Sequence, residues 1–221
     1  CASHKMLLDY HGTCKPFGLQ RTYPNVINYE GVNGLEQLKW KKQGYDQVTY
    51  DLTFPFIRML AGPVDYTQGA MRNATQKGYY PNNHEPMSQG TRCRQLAEYI
   101  IFESPFNMLC DTPINYMKEQ ECTDFISSVP TIWDETVALD SKIANYITIA
   151  RRSKDTWYIG SINDWKMREL EIDLTFLPEG QYQMEIFRDG ANADRNAADY
   201  KKESKAVPAD KKVKIKMYPG G

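Results

Sequence analysis

Two short apolar runs, each closed by ionisable residues and a loop rich in glycine and proline, constrain this chain more than any other feature. Met6-Leu7-Leu8 leads into Asp9, Tyr10, His11 and Gly12, and Val26-Ile27 leads into Asn28, Tyr29, Glu30 and Gly31. Each run is too short for a helix and has the length of a buried strand. A buried strand that opens at its C-terminal end into a carboxylate and a Gly/Pro-rich loop is the local pattern of a (β/α) barrel. It also fits an ordinary α/β unit with solvated loops, because polar strand ends are common. The residues alone leave both open.

The pattern recurs further along. A helical stretch through Leu38 and Trp40 follows Glu36. The apolar run Phe54 to Ala61, interrupted by Pro55, predicts a third strand ending at Gly62-Pro63-Val64-Asp65-Tyr66. The polar loop from Thr67 to Pro86 is long enough to be functional or flexible. Ser88 or Thr91 can cap a helix through Leu96, Tyr99, Ile100 and Phe102. Phe106 to Cys110 predicts a fourth strand, ending at Asp111-Thr112-Pro113. An amphipathic helix over Ile114 to Ile126 follows, with Met117, Cys122, Phe125 and Ile126 on one face. Four such units are half of the eight that a complete barrel needs. Residues 1–133 are therefore expected to be half a (β/α)8 barrel, its C-terminal half.

From Trp133 the periodicity changes. Asn145 to Arg151, Thr156 to Gly160, Leu170 to Leu174, Tyr182 to Phe187 and Val213 to Met217 alternate polar and apolar residues with period two. Lys154-Asp155, Pro178-Glu179-Gly180 and Asp189-Gly190 separate them. Half-buried strands at this spacing predict a small antiparallel β-sandwich over residues 134–221, truncated at its end. The polar stretch Ala191 to Asp210 is expected to be a long connection. Its lysines alternate with Asp199, Glu203 and Asp210, as on a solvated face. The fold class is thus α/β plus all-β.

Composition narrows the function. At 41% hydrophobic and 25% charged the chain is globular. Its net charge of −1 gives no field favouring nucleic acid or an anionic membrane, and no apolar run approaches the length of a membrane span. Aromatic content of 12% suits a sugar-binding surface, but it suits a β-rich core better. Five cysteines without a CxxC, and three histidines without an HExxH, indicate free thiols rather than a disulfide scaffold or zinc site. Asn73-Ala74-Thr75 fits a short glycosylation pattern. The chain opens at Cys1 without an initiator methionine or signal peptide and stops at Gly221, so it is expected to be a piece of a longer protein.

The stretch from Leu8 to Glu36 resembles glycoside hydrolase family 97, the calcium-dependent α-glycosidases. The matching pieces are Asp9-Tyr10-His11-Gly12, Lys15-Pro16, Gly18, Arg21-Thr22-Tyr23-Pro24-Asn25, and Glu30-Gly31 with Glu36. Ala61-Gly62-Pro63-Val64-Asp65-Tyr66-Thr67, Ser104-Pro105 and Cys110-Asp111-Thr112-Pro113 extend the likeness over essentially the whole chain. The resemblance implies an N-terminal β-sandwich, a central (β/α)8 barrel and a small C-terminal β-sandwich. This chain would hold the second half of the barrel and most of the last sandwich.

By the same resemblance Glu36 is the general acid/base, and Glu30, six residues earlier, ligates calcium. Glu36 also touches the metal, and the remaining ligands lie before Cys1. A hard cation favours such carboxylate oxygens. From the residues alone, Glu36 also fits a first-turn helix glutamate favoured by the dipole. Gly12 is the informative departure. The inverting α-glucosidase branch carries a basic glutamate there, whereas the retaining branch, typified by α-galactosidases, has glycine. In that branch the nucleophile is an aspartate on an earlier strand, expected upstream of Cys1, and so is not Asp9. Asp9, His11, Lys15 and Arg21 are candidate substrate-binding residues. The roles of Asp65, Glu85 and Asp111 stay open.

The expected function is therefore part of a retaining, exo-acting α-galactosidase that takes oligosaccharide or glycoside substrates. Its expected location is the periplasm or the exterior, an oligomer is compatible with it, and the isolated chain is expected to be inactive. An inverting α-glucosidase is the alternative within the family. A non-catalytic carbohydrate-binding or structural module is the alternative outside it.

Overall fold

The computed structural model describes residues 1–221. Strand β1 (Leu8–Tyr10) pairs in parallel with β2 (Val26–Tyr29), Asp9 lying opposite Asn28 and Tyr10 opposite Tyr29. Helix α1 (Leu19–Thr22) connects them. Single backbone hydrogen bonds carry the order further: Asp65 N donates to Tyr29 O at 2.9 Å, and Val64 N donates to Glu103 O at 2.9 Å. Four chain segments thus lie side by side in sequence order.

The third and fourth predicted strands need correction. Phe54 to Ala61 forms two 3-10 turns, Phe54–Phe56 and Met59–Ala61, not a strand. Pro55 has no amide donor and its fixed φ suits the start of a helical turn. The extended segment begins only after Gly62, whose φ of +131° ends the second turn. Phe106 to Cys110 is irregular, and Phe106, Met108 and Leu109 are exposed. The strand-like position there belongs to Glu103. The stretch after Glu36 is a 3-10 helix, Leu35–Lys39.

Helix α2 (Gln47–Asp51) is capped by Asp46, which accepts from Thr49 N. Strands β3 (Asn73–Ala74) and β4 (Ser88–Gln89) form a short parallel pair within and after the long loop. Thr91 caps α3 (Arg92–Ile101) by accepting from Arg94 N. The predicted last helix is divided into α4 (Pro113–Lys118) and α5 (Gln120–Ser128), with the break at Glu119.

The remaining strands are antiparallel. Strands β5 (Glu135–Lys142), β6 (Tyr146–Ser153) and β7 (Thr156–Asn163) make a three-stranded sheet. Strand β8 (Arg168–Asp173) pairs with β11 (Lys212–Met217), and β9 (Gln183–Asp189) pairs with β10 (Tyr200–Ala206). The expected connection over Ala191 to Asp210 therefore contains a strand. Only two of its seven residues are even half-buried, so it carries no apolar alternation. Charged residues of this kind protect the edge of a sheet.

The principal apolar core crosses the expected boundary at 133/134. Phe54 stacks on Tyr66, Phe102 meets both rings at a steep angle, and Ile147 and Ile162 from β6 and β7 join the same cluster. Helix α3 is buried on nearly every side because β7 covers the face turned away from the first part. Gly160 permits this: a Cβ there would stand 2.9 Å from Ala97 O. All five cysteines are free, and no helix is long and apolar enough to cross a membrane.

Candidate active site

Parallel pairing brings the ends of β1 and β2 together, and this builds the site. Glu30 follows β2 directly, and its amide donates to Tyr10 O at 2.8 Å. Its carboxylate turns back and accepts from Gly12 N at 2.6 Å. Gly12 adopts φ +66°, in the left-handed region that favours glycine, which lets the loop after β1 fold over Glu30.

His11 is the centre of the cluster. Its Nδ1 lies 2.7 Å from Asp65 Oδ2 and its Nε2 lies 2.8 Å from Glu36 Oε1. Glu30 Oε1 is 3.7 Å from the same Nε2. The Asp65 hydrogen bond, with smaller contributions from Glu36 and Glu30, pushes His11 up to about 9 against the opposing effect of burial. The ring is therefore cationic at neutral pH and donates from both nitrogens. Asp65 is almost fully buried, Glu30 nearly so, and the Glu36 side chain is 29% exposed. Glu36 is thus the carboxylate of this cluster that reaches outward.

Asp9 lies under the cluster. Both its oxygens are buried and without a hydrogen-bond partner. Burial, and then the charge of Asp65, push it up to about 6.

Not every candidate joins. Lys15 and Arg21 are exposed, and their side chains form no ion pair or hydrogen bond. Asp111 is occupied elsewhere: it accepts from Met71 N, Thr112 N and Asn115 Nδ2. Glu85 pairs with Arg72 on the exposed loop. An open groove of about 810 Å³ is lined by Thr13, Lys15, Gly31, Tyr50, Arg58 and Leu60, and by none of His11, Glu30 or Glu36.

Sequence reasoning missed two participants. It left Asp65 without a role, although the residue fixes the histidine. It did not single out Arg58, whose guanidinium accounts for four backbone carbonyls around the site. The signal for Arg58 was weak: one arginine inside an apolar run.

His11, Glu30 and Glu36 offer ligand atoms within 4.8 Å of one another. The two carboxylates are the hard oxygen donors that calcium takes, and the imidazole is not. The residues present fit a hard divalent cation through Glu30 and Glu36, with oxygen ligands needed from outside this set.

Comparison with known proteins places the chain beside one family. A family model described as glycoside hydrolase 97 matches residues 1–32, and one described as glycosyl-hydrolase 97 C-terminal, oligomerisation, matches residues 132–221. The chain is 59% identical over its whole length to a retaining alpha-galactosidase of Bacteroides thetaiotaomicron, of which it covers 33%. It is 29% identical over 189 residues to a probable retaining alpha-galactosidase of Streptomyces bingchenggensis, covering 86% of this chain and 27% of that protein. A glycoside hydrolase family 97 enzyme from Pseudoalteromonas sp. strain K8, solved in complex with panose, superposes with a TM-score of 0.86 at 34% identity, over 100% of this chain and 34% of that one. A beta-arabinopyranosidase structure gives a TM-score of 0.82 at 26% identity, over 98% and 33%. The chain spans about a third of the length of these relatives.

Proposed function

This chain belongs to glycoside hydrolase family 97, and we propose that it forms part of a retaining α-galactosidase in which Glu36 is the general acid/base. The observation that carries the proposal is the combination of Gly12 with Glu36. Position 12 offers no carboxylate to activate water, while Glu36 stands partly exposed and oriented by His11. The 59% identity to a retaining alpha-galactosidase supports the same branch.

In the proposed reaction a carboxylate from outside these residues attacks the anomeric carbon as Glu36 gives its proton to the leaving oxygen. Glu36, now ionised, then takes a proton from the water that attacks the same carbon and releases the carboxylate. Two inversions give net retention and require the carboxyls about 5–5.5 Å apart. His11, held by Asp65, fixes the Glu36 carboxyl, and Asp9 beside Asp65 is kept as a candidate substrate-binding residue. Lys15 and Arg21 remain candidate hydroxyl binders, free to turn toward a sugar. Calcium held by Glu30 and Glu36 would supply positive charge that fixes these carboxylates in place.

The side-by-side order of β1, β2, Val64–Asp65 and Glu103 supports assigning residues 1–133 to the second half of a (β/α)8 barrel. The antiparallel sheets after it support a small sandwich over 134–221. The C-terminal family description supports an oligomer. The proposed location is the periplasm or exterior, to be checked by cell fractionation.

The deciding experiment is proton NMR of the intact protein acting on p-nitrophenyl α-galactoside. The α-anomer of galactose should appear first. First release of the β-anomer would reject retention in favour of the inverting alternative. The isolated 221-residue chain should not turn over this substrate.

A further inference from the structure

Arg58 is buried, yet it forms no ion pair with any carboxylate. A buried cation without a counter-ion is costly unless other groups solvate it. Here backbone carbonyls do so. Its Nη1 donates to Gly62 O at 3.0 Å, and its Nη2 lies 2.9 Å from Tyr29 O, 2.9 Å from Glu30 O and 3.0 Å from Pro63 O.

These four acceptors are not scattered. Tyr29 and Glu30 are the end of β2, and Gly62 and Pro63 lead directly into Asp65. The Tyr29 carbonyl that receives Arg58 also receives Asp65 N at 2.9 Å. One planar guanidinium therefore ties the backbone under Glu30 to the backbone that delivers Asp65. Those two carboxylates meet across His11.

We propose that Arg58 is a positioning residue for the divalent-cation site: it sets the separation of the Glu30 and Asp65 segments, and through it the geometry in which Glu30 and Glu36 bind calcium. This rests on the assignment of calcium to Glu30 and Glu36. An ammonium is a point charge without the fork that reaches several carbonyls in one plane, so lysine does not replace it. Groups that orient metal ligands without touching the metal are typically worth about 10- to 100-fold in metal affinity.

The test is calorimetric titration of calcium into the intact, chelator-stripped protein without substrate, alongside its thermal midpoint. Arg58→Lys should bind calcium about 10- to 100-fold more weakly than wild type. The control is Arg94→Lys. Arg94 is also buried and donates to Asn163 O and Val48 O, away from Glu30. It should lose thermal stability and keep wild-type calcium affinity. Wild-type affinity in Arg58→Lys, or an equal loss in Arg94→Lys, overturns the proposal. If Arg58→Lys does not fold, Arg58→Ala is titrated with added guanidinium ion, which enters from the groove that Arg58 lines. Recovery of affinity supports the proposal, and no recovery overturns it. A wild-type protein that binds no calcium overturns the calcium assignment and this inference together. A wild type matched by Arg58→Lys overturns the inference alone.

Discussion

Asp65 and His11, 54 positions apart, meet at 2.7 Å, and this contact decides which way the imidazole presents itself to Glu36. Hydrogen bonds to charged groups contribute about 1.5–3 kcal/mol. Asp65→Asn should therefore lower kcat/KM of the intact protein about 10- to 100-fold. Histidine NMR of the chelator-stripped protein supplies a second readout. The His11 resonance should titrate near 9 in wild type and lower in the variant, because the largest upward influence is gone. An unmoved His11 titration would disprove the coupling.

Glu36→Gln in the intact protein should remove both the acid and the base functions proposed for this residue. With a natural galactoside, turnover should fall by about 10²–10⁴-fold, the usual worth of general acid–base catalysis. With a p-nitrophenyl leaving group the first step needs little protonation, so a glycosyl intermediate should accumulate. Azide needs no base and should restore turnover, giving the α-galactosyl azide. Calcium content must match wild type. A β-configured azide would contradict double displacement.

Two glycines near the site should respond very differently to alanine. Gly12 has φ +66° and open space where a methyl group would sit, so Gly12→Ala meets only backbone strain, about 1–2 kcal/mol. Gly31 has φ +54°, and a Cβ there would lie 2.5 Å from Lys15 N. Gly31→Ala must push back the Cys14–Lys15 backbone as well. Denaturant unfolding should show the larger loss for Gly31→Ala. Equal losses would mean that the loop after β1 yields freely.

A pH effect should arise far from this site. Asp51 and Glu98 share one buried guanidinium, Arg94. Burial pushes Asp51 up to about 6 from its ordinary 3.8, and raises Glu98 as well. Between these values the folded chain binds more protons than the unfolded one, so stability falls as pH rises through about 4 to 6. Asp51→Asn cannot titrate and should flatten this part of the profile. The comparison is the difference in unfolding free energy between wild type and variant at pH 4 and pH 7; a constant difference would refute it.

The elements legible in the sequence are those whose residue pattern follows their burial. Strands β8 and β11 alternate because one face of each meets a core, and Val26 to Tyr29 reads as a strand because it is mostly buried. Strand β10 was invisible for the opposite reason: nearly all of Tyr200 to Ala206 faces solvent. Phe54 to Ala61 misled because its apolar residues serve an aromatic cluster from two 3-10 turns of three residues each, too short to show a period. Glu30, Glu36 and His11 were legible through a local motif. Asp65 as their partner was not, since no local pattern encodes a contact across 54 positions.

The space around Gly12 has an evolutionary consequence. A single-base change turns some glycine codons into glutamate codons, so a carboxylate at this position is close in mutational distance. No atom stands within 4 Å of a Cβ there, so sterics do not forbid it. What resists it is the left-handed backbone, together with a fourth negative charge beside Asp65, Glu30 and Glu36, which have one imidazolium among them. On the proposed retaining course, a lineage crossing to the inverting one would have to acquire compensating positive charge as well, and the order of those two changes is a historical question that reconstructed ancestral sequences can answer.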